Sequence, residues 1–451
     1  MDTASLARAA ALYVPLCITA AAWTATPPSP RERAAAFLAT AWNLPALLAV
    51  HVLALRLGWW TYNTRGATLA GLPVDLYIGW AVLWGALPAL AARRVRIGVV
   101  TAAALGVDLV AMSQLEPIVR LGSTWLVGEL IAILVCLVPA QLLAQWTRDQ
   151  SHVGRRALLQ MLAFGGLVFG VLPQTLFEQI GGGWTPLTSR PMWVTSLLLQ
   201  GVALGGLLGV SALQEFATRG LGTPVPFDPP RRLVISGPYA YVRNPMQLSA
   251  ALATAGWGAL LESWWVMAAG VMAVIYGAGF AAGDEDVDLE RRFGRSWRAY
   301  ANAMRAWWPR WRPLDPAVLA ESENGEASAP HTPRARATLY VAEECGPCSE
   351  VRAWFEARSP VSLDIVAAER HPRRSLTRIT YDPGDDAGDV DGVAALGRAL
   401  EHVHLGWAAM GMFVRLPCLC QALQLIADAS GGGPRPVVRY CERPGAAVRS
   451  A

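Results

Sequence analysis

Two groups of residues in this chain of 451 residues combine types and spacings that could do chemistry. The first consists of the acidic pair Glu285 and Asp286, which follows an apolar hairpin, and of Arg243, which precedes it. Carboxylates can hold a cation or ribose hydroxyls, and an arginine fork can hold a carboxylate or a phosphate. If the hairpin brings its two ends together, these residues predict a pocket at a membrane boundary. The alternative is that they only anchor the topology and form surface ion pairs.

The second group is the CGPC motif at residues 345–348. Residues 337–342 before it alternate in hydrophobicity and include β-branched and aromatic side chains, which predicts a strand. Residues 349–358 after it have the pattern of an amphipathic helix, and residues 363–367 are again strand-like. A strand, a CxxC motif, a helix and a second strand are typical of the start of a thioredoxin-like unit.

Within this motif the two cysteines have different expected roles. Cys345 would lie at a helix N-terminus, where the helix dipole favours the thiolate, so it is the expected attacking thiol. Cys348 is then the resolving thiol. Two unrelated free cysteines and half of a zinc site are the alternatives, but a second cysteine pair with metal spacing is missing, so we expect no metal.

The composition of the chain indicates the class of protein that positions these residues. Hydrophobic residues make up 53% of the chain and charged residues 16%, whereas soluble proteins have roughly 25% charged residues. This excludes a disordered chain, a coiled coil and a small disulfide scaffold, and it argues against an ordinary soluble enzyme. All 38 basic residues are arginines, and a formal charge of +4 gives no indication of a nucleic-acid partner.

Long apolar runs fill the first part of the chain, and about 20 residues are needed for a helix to cross a bilayer. We therefore expect a polytopic α-helical membrane protein with about nine membrane segments, followed by a C-terminal α/β thioredoxin-like domain. The predicted segments are 9–26, 34–55, 74–92, 97–115, 122–145, 157–178, 192–213, 248–261 and 264–282.

The arginines in the loops predict an orientation. Taken alternately, the loops between these segments contain 12 arginines on one side and 5 on the other. Arginine-rich loops stay in the cytoplasm. The N-terminus is therefore expected outside and the C-terminal domain in the cytoplasm, in a multi-pass protein of the plasma or inner membrane.

Four regions are expected along the chain. Residues 1–190 form an N-terminal helical membrane region of unknown role, and residues 191–312 form a second membrane domain that ends in an arginine- and tryptophan-rich surface helix. Residues 313–335 have linker composition, and residues 336–451 are expected to form a water-soluble domain.

Three ionisable residues interrupt the apolar runs: His51, Asp108 and Glu129. An ionisable group inside a membrane is a functional candidate by default. The alternative is that each lies near an interface or is satisfied by a neighbouring helix. In the C-terminal domain, His402 and His404 are expected to be exposed residues of a helix.

A series of spaced motifs occupies residues 195–312. The motifs are Gly222-Thr223-Pro224-x-Pro226, Leu233-Val234, Gly237-Pro238-Tyr239 and Val242-Arg243-Asn244-Pro245-Met246, then Glu285-Asp286, Leu289, Phe293-Gly294, Trp297, Tyr300 and Trp308-Pro309-Arg310. In order and type they resemble the isoprenylcysteine carboxyl methyltransferase and phospholipid methyltransferase superfamily. The sequence departs from that pattern at Gln247 and Ser249, where many relatives have Tyr and Gly, and at Asp286, where they have Glu.

The resemblance implies an integral membrane methyltransferase that uses S-adenosylmethionine. Its acceptor would be a lipophilic small molecule, a lipidated substrate or a membrane lipid. The expected catalytic residues are Arg243 and Glu285 in this region, together with Cys345 and Cys348 of the CGPC motif. The expected cofactor-binding residues are Gly237, Tyr239, Arg243, Asn244, Pro245, Glu285 and Asp286. Related membrane folds include NADPH-dependent sterol reductases, so hydride transfer is an alternative.

Residues 336–443 are similar to the DCC thiol-disulfide oxidoreductase family, which is thioredoxin-like. The similarity lies in the CGPC motif after a strand, in Asp391-Gly392-Val393 with Gly397 and Leu400, and in a later helical segment. It implies dithiol chemistry on a thiol protein partner. A membrane-anchored thiol-disulfide oxidoreductase with an inactive methyltransferase-like part is a second alternative, and a non-catalytic scaffold is a third.

Overall fold

A computed structural model defines most of the chain, which forms two compact units. The first comprises Met1–Leu198, Thr223–Pro229 and Gly256–Ala268, and the second comprises Leu199–Gly222, Pro230–Ala255 and Ala269–Ala451. The structure describes residues 3–63, 66–115, 118–225, 228–276, 282–317, 319, 336–343, 345–385, 388–437 and 439.

Within the described residues, six helices are long and apolar enough to cross a membrane, which together with their composition makes the chain a multi-pass membrane protein. The predicted segments at 97–115 and 264–282 contain shorter apolar helices, Ile97–Met112 and Trp264–Ile275, and the segment at 248–261 lies in a helix of 16 residues. The prediction of nine spans is therefore not confirmed. The six helices are Ala4–Ala25, Pro30–Leu57, Val74–Ala91, Trp125–Arg148, Val153–Ile180 and Met192–Thr218.

The first unit is a helical bundle with two small antiparallel ribbons. Its strands pair Trp60 with Leu121 and Thr68 with Pro73. Its helices are α1 (Thr3–Ala25), α2 (Pro30–Leu57), α3 (Val74–Trp84), α4 (Ala86–Ala91), α5 (Ile97–Gln114), α6 (Trp125–Ala132), α7 (Val138–Arg148), α8 (Val153–Gly166), α9 (Leu172–Ile180) and α10 (Pro186–Ser189). Its strands are β1 (Trp60–Tyr62), β2 (Thr68–Leu69), β3 (Leu72–Pro73) and β4 (Val119–Leu121).

Helix α2 is the central element of this bundle, and its ends are set by sequence. Ser29 accepts from the backbone of Glu32 while the Glu32 side chain accepts from the backbone of Ser29, so the first turn has a complete capping box. Gly58 ends the helix in the left-handed conformation at φ 69°. Small residues line its contact with α4 and α7, which lets the backbones approach closely. They include Ala35, Ala36, Ala39, Ala89, Ala140 and Ala144.

The second unit combines membrane helices with the C-terminal sheet. Residues of α11, α12 and α13 are divided between the two units. The helices are α11 (Met192–Thr218), α12 (Pro245–Leu260), α13 (Trp264–Tyr276), α14 (Ala282–Ala303), α15 (Gly346–Glu356), α16 (Val393–Leu400), α17 (Leu405–Val414) and α18 (Leu419–Ala427). The strands are β5 (Ala337–Val341), β6 (Leu363–Ala367), β7 (Thr380–Asp382) and β8 (Val390–Asp391).

The four C-terminal strands form one mixed sheet in the order β6-β5-β7-β8. Strands β5 and β6 are parallel, with α15 as the connection between them, whereas β7 is antiparallel to β5 and β8 is antiparallel to β7. Side chains of β5 alternate into a core with Phe355 of α15 and Ala395 of α16. The strand at 337–342, the helix after the CGPC motif and the strand at 363–367 thus lie where the sequence predicts them.

Helices α17 and α18 differ from the expected water-soluble surface. Each is apolar, and α17 (Leu405–Val414) and the segment Leu419–Gly432 meet at an angle of 86°. Leu425 and Ile426 are 70% and 61% exposed. Residues 405–432 therefore present apolar surface. The few charged residues in the segment GWAAMGMFVRLPCLCQALQLIAD already indicate this.

Candidate functional site

The loop between α11 and α12 carries four of the predicted cofactor-binding residues, Gly237, Tyr239, Arg243 and Asn244. Gly237–Ala240 forms a single 3₁₀ turn, and Gly237 begins it at φ +60°. Residues with a Cβ rarely adopt that conformation. A Cβ at this position would also meet the Glu215 side chain at 2.6 Å. Gly237 therefore lets the loop approach α11 closely.

Tyr239, in the same turn, is buried against Ala212 and Val234. Its backbone carbonyl accepts a hydrogen bond of 2.9 Å from the hydroxyl of Tyr300, which is 1% exposed. Tyr239 therefore joins the loop to α14.

Arg243 and Asp286 meet, as the hairpin argument predicts. Arg243 Nη2 lies 3.8 Å from Asp286 Oδ2, and its guanidinium lies 5.8 Å from the centre of the Trp297 ring. The Arg243 backbone N–H donates to the carbonyl of Arg305 over 3.0 Å. An arginine from the loop, an acid from the start of α14 and an aromatic ring from its later part thus converge at one point.

Two groups of this cluster retain unused hydrogen-bonding capacity. Arg243 Nε is buried and has no hydrogen-bond partner among the residues defined by the structure, and the Asp286 side chain is 43% exposed. An unpaired cationic donor beside an accessible carboxylate complements a molecule that carries both a negative and a positive group. An amino acid carries these two groups, a carboxylate and an ammonium group.

Asn244 and Pro245 form the entry to α12. The Asn244 backbone N–H donates to the Ala306 carbonyl over 3.2 Å, and its carbonyl accepts from Leu248 over 3.0 Å. Pro245 is the first residue of the helix, where its missing N–H would have no intrahelical partner. Both residues fix the position of Arg243 through the backbone.

Helix α14 supplies the acidic residues. It begins at Ala282, and it bends at Gly294, whose φ of 55° and ψ of −124° are not helical. The side chain of Glu285 lies outside the residues that the structure describes, so its predicted role stays a prediction. Trp297 and Tyr300 follow the bend and are buried with Ile235.

Of the three positions that depart from the superfamily pattern, Ser249 has a structural role. Its hydroxyl donates to the Gly205 carbonyl over 2.6 Å, and a Cβ at Gly209 would meet its Oγ. Ser249 therefore packs α12 against α11 instead of contacting the Arg243–Asp286 cluster. Gln247 is half-buried in the first turn of α12.

A buried ionic cluster beside the loop escapes sequence reasoning. Glu215 pairs with Arg398 and, at 3.1 Å, with Arg415, and both arginines also pair with Glu401. Ser236 donates to the free side of the Glu215 carboxylate over 2.8 Å. Burial acts to lower the pKa of Arg398, but Glu215 and Glu401 outweigh it and raise that pKa. An acidic residue near the end of an apolar helix is the signal that could have found Glu215.

The CGPC motif has the local geometry that the sequence predicts. Cys345 precedes the first residue of α15 with an extended backbone, φ −120° and ψ 117°, and its carbonyl accepts from the Ser349 backbone. Both thiols are free. Burial, together with the neighbouring Cys345, raises the pKa of Cys348 to about 12. Cys348 is therefore a protonated thiol at neutral pH.

His402 corrects one expectation, because it lies in a turn after α16 and is half-buried. Its Nδ1 is 2.7 Å from the Val361 carbonyl, and its Nε2 is 2.8 Å from the Tyr381 hydroxyl. Since a carbonyl only accepts, Nδ1 carries the proton and Tyr381 donates to Nε2. Burial lowers the pKa of His402, which keeps the ring neutral. Within the described residues, no group of three or more His, Cys, Asp or Glu side chains could hold a metal ion.

Comparison with known proteins gives one match. Residues 194–295 match the family model of phospholipid methyltransferases, and this range contains the loop, α12, α13 and the first part of α14. The match covers less than half of the chain, and it supports a membrane methyltransferase in general. No curated protein and no solved structure matches the chain.

Proposed function

We propose that this protein is an integral membrane methyltransferase that uses S-adenosylmethionine and acts on a lipophilic acceptor. The observation that carries the proposal is the meeting of Arg243 and Asp286 inside the region similar to phospholipid methyltransferases. The similarity supports the reaction class, and the cluster supplies a recognition site of suitable charge.

The residues present fit this cofactor. Its amino-acid end carries a carboxylate and an ammonium group, which Arg243 Nε and the exposed carboxylate of Asp286 complement. Glu285 would add a second carboxylate for the ammonium group or the ribose hydroxyls. Gly237 and Tyr239 would shape the loop around it, and Asn244 and Pro245 would hold Arg243 in place. When bound, S-adenosylmethionine supplies an electrophilic methyl group on a sulfonium.

The protein's contribution to the reaction is then positioning and exclusion of water. The backbone hydrogen bond of Arg243 and the Trp297 ring hold Arg243, and Tyr300 holds the loop at Tyr239, so little conformational freedom is lost on binding. A carboxylate acceptor would need no base, whereas an amine or a phenol would first lose a proton. The acceptor class we propose is a lipophilic or lipidated molecule, including a membrane lipid, reached from the cytoplasmic side of the plasma or inner membrane.

Calorimetric titration of S-adenosylmethionine into the detergent-purified full chain tests this function. We expect saturable binding in the wild type, and at least tenfold weaker binding in Arg243→Ala and Glu285→Ala. Arg298→Ala is the matched control, because Arg298 lies on the same helix with its side chain 59% exposed. Its affinity should equal that of the wild type.

A folded, monodisperse wild type that binds no S-adenosylmethionine would contradict the proposal. Saturable binding of NADPH in the same titration, lost in Arg243→Ala, would instead favour the reductase of related fold. Transfer of a labelled methyl group into the lipid fraction of a membrane extract then identifies the acceptor class.

We also propose that residues 336–451 form a thioredoxin-like domain with thiol-disulfide exchange activity on a thiol protein. The parallel β5–α15–β6 unit, the antiparallel β7 next to β5, and Cys345 at the start of α15 support it. In this reaction the Cys345 thiolate attacks a partner disulfide and forms a mixed disulfide. Cys348 then displaces the partner, which leaves as a dithiol while the CGPC pair becomes a disulfide.

Equilibration of the full chain with glutathione buffers tests this second activity. We expect a two-electron transition assigned by mass spectrometry to Cys345 and Cys348, which Cys345→Ser abolishes. If Cys345 stays reduced over the whole range of buffers, the proposed exchange activity of this domain is contradicted.

A further inference from the structure

The first unit contains a cavity that the proposed methyl transfer does not use. Its volume is about 40 Å³, and it lies among α2, α3, α5 and α6, beside strand β1. Aromatic rings form most of its wall. They are Trp60, Tyr62, Tyr77, Trp80 and Trp84.

Ionisable and polar atoms in this wall are buried without partners. His51 and Glu129 line the cavity at 3% and 4% exposure. Within the part of the chain that the structure defines, His51 Nδ1, Glu129 Oε1 and the indole nitrogen of Trp60 have no hydrogen-bond partner. Buried polar groups are normally satisfied, so unpaired ones around a cavity indicate a ligand.

The hydrogen bond made by His51 Nε2 determines whether Nδ1 donates or accepts. His51 Nε2 lies 2.9 Å from the Ala70 carbonyl, which can only accept. The proton is therefore on Nε2, and Nδ1 is a lone-pair acceptor. The cavity thus has two acceptors, Nδ1 of His51 and Oε1 of Glu129.

A second carboxyl group lies beside that of Glu129. Asp108, which is 2% exposed, interacts with Glu129 from the neighbouring helix α5, and the indoles of Trp80 and Trp84 approach its carboxyl group. Among the residues that the structure describes, neither carboxylate forms a salt bridge with an arginine. A buried acidic pair without a cation is unfavourable when it is ionised, so a positively charged ligand would stabilise its charged form.

We propose that this cavity binds a small organic ammonium group. The carboxylates of Glu129 and Asp108 would supply its counter-charge, His51 Nδ1 would accept one of its N–H groups, and the rings of Trp60 and Trp80 would face the cation. An ammonium group suits the site better than a metal ion, because the wall offers aromatic faces and few oxygens. By this measure of volume a water needs roughly 10–15 Å³, so the cavity admits about three atoms of that size. Methylammonium fits, and tetramethylammonium does not.

Calorimetric titration of methylammonium into the full chain, purified in detergent at constant ionic strength, tests the proposal. We expect saturable binding that is at least tenfold weaker in Glu129→Gln and in Asp108→Asn. The control is Glu262→Gln, whose side chain in the same unit is 62% exposed, and whose affinity should be that of the wild type. Tetramethylammonium should give no saturable heat. Thermal unfolding of each variant shows whether it is folded.

Nanodiscs distinguish the two sources of such a group. If lipids with a primary-amine headgroup weaken methylammonium binding relative to choline lipids, the natural occupant is a lipid headgroup. If they do not, it is a free amine, and both results support an ammonium site. The proposal is overturned if folded wild type gives no saturable heat with methylammonium, if folded Glu129→Gln binds it as tightly as the wild type, or if sodium displaces it at equal concentration.

Discussion

Arg415 lies 3.1 Å from the Glu215 carboxylate, although 200 positions separate the two residues in the chain. With Arg398 and Glu401 they form a cluster of two acids and two bases in which every side chain is at most 8% exposed. The cluster is neutral only when all four members are present. It fixes the end of α11, and through Ser236 and Gly237 it supports the loop that carries Arg243.

Glu215→Gln should therefore destabilise the second unit. The substitution leaves two buried guanidinium groups with one carboxylate, and breaking a buried pair costs about 3–5 kcal/mol. Unfolding in mixed micelles, followed by tryptophan fluorescence, gives the free energy. Glu290→Gln is the control, since Glu290 pairs with Arg298 at 49% exposure and should change stability by less than about 0.5 kcal/mol. Equal effects of the two substitutions would show that the cluster does not stabilise the unit.

Gly237→Ala should weaken both stability and cofactor binding. The left-handed backbone and the approach of a Cβ to Glu215 predict a loss of about 2 kcal/mol or more. Gly201→Ala, in α11, is matched to it because a Cβ there meets nothing within 4 Å. Thermal unfolding and S-adenosylmethionine titration measure the two effects. Wild-type affinity in a folded Gly237→Ala variant would show that the loop is not part of the binding site.

Ser249→Ala should reduce stability by about 1 kcal/mol and leave S-adenosylmethionine affinity unchanged. Its hydroxyl bonds to the Gly205 carbonyl, and a hydrogen bond of this kind contributes roughly that much. The same two measurements check this. Lost cofactor binding at wild-type stability would instead assign Ser249 to the pocket, and its departure from the superfamily pattern would then bear on the acceptor.

Cys348 should resist alkylation until strongly alkaline pH. Because burial and, to a smaller extent, the neighbouring Cys345 raise its pKa to about 12, from a usual value near 9, the native state holds the proton that the unfolded state releases. Its contribution to stability is complete below about pH 9 and is lost as the pH rises toward 12. In Cys345→Ser, iodoacetamide should label Cys348 at pH 8 far more slowly than it labels denatured protein, as mass spectrometry of the peptide will show. Equal rates would mean that the thiol is accessible and ionised.

Local patterns predict much of this structure. The apolar helices begin and end close to the predicted positions, and the strands and helix around the CGPC motif follow from alternation and periodicity over a few residues. Arg243 and Asp286 could be expected to meet because one hairpin joins them.

Long-range pairings could not be predicted. Arg398 and Arg415 read as ordinary basic residues of the C-terminal domain, and only the folded chain places them against Glu215. Similarly, His402 has a polar sequence neighbourhood, and its burial depends on Tyr381 and on the carbonyl of Val361. Neither partner is close to it in sequence.

The Glu215 cluster has a consequence for how this protein can be divided. A fragment of residues 336–451 would retain Arg398, Arg415 and Glu401 but not Glu215, so an excess positive charge would remain where apolar side chains exclude water. The natural boundary in the amino-acid sequence is therefore a poor place to cut. The excised C-terminal piece should be prone to aggregate, and the remaining membrane piece should contain Glu215 without its arginine partners. Each part therefore supplies charged side chains that the other part needs to reach its native state.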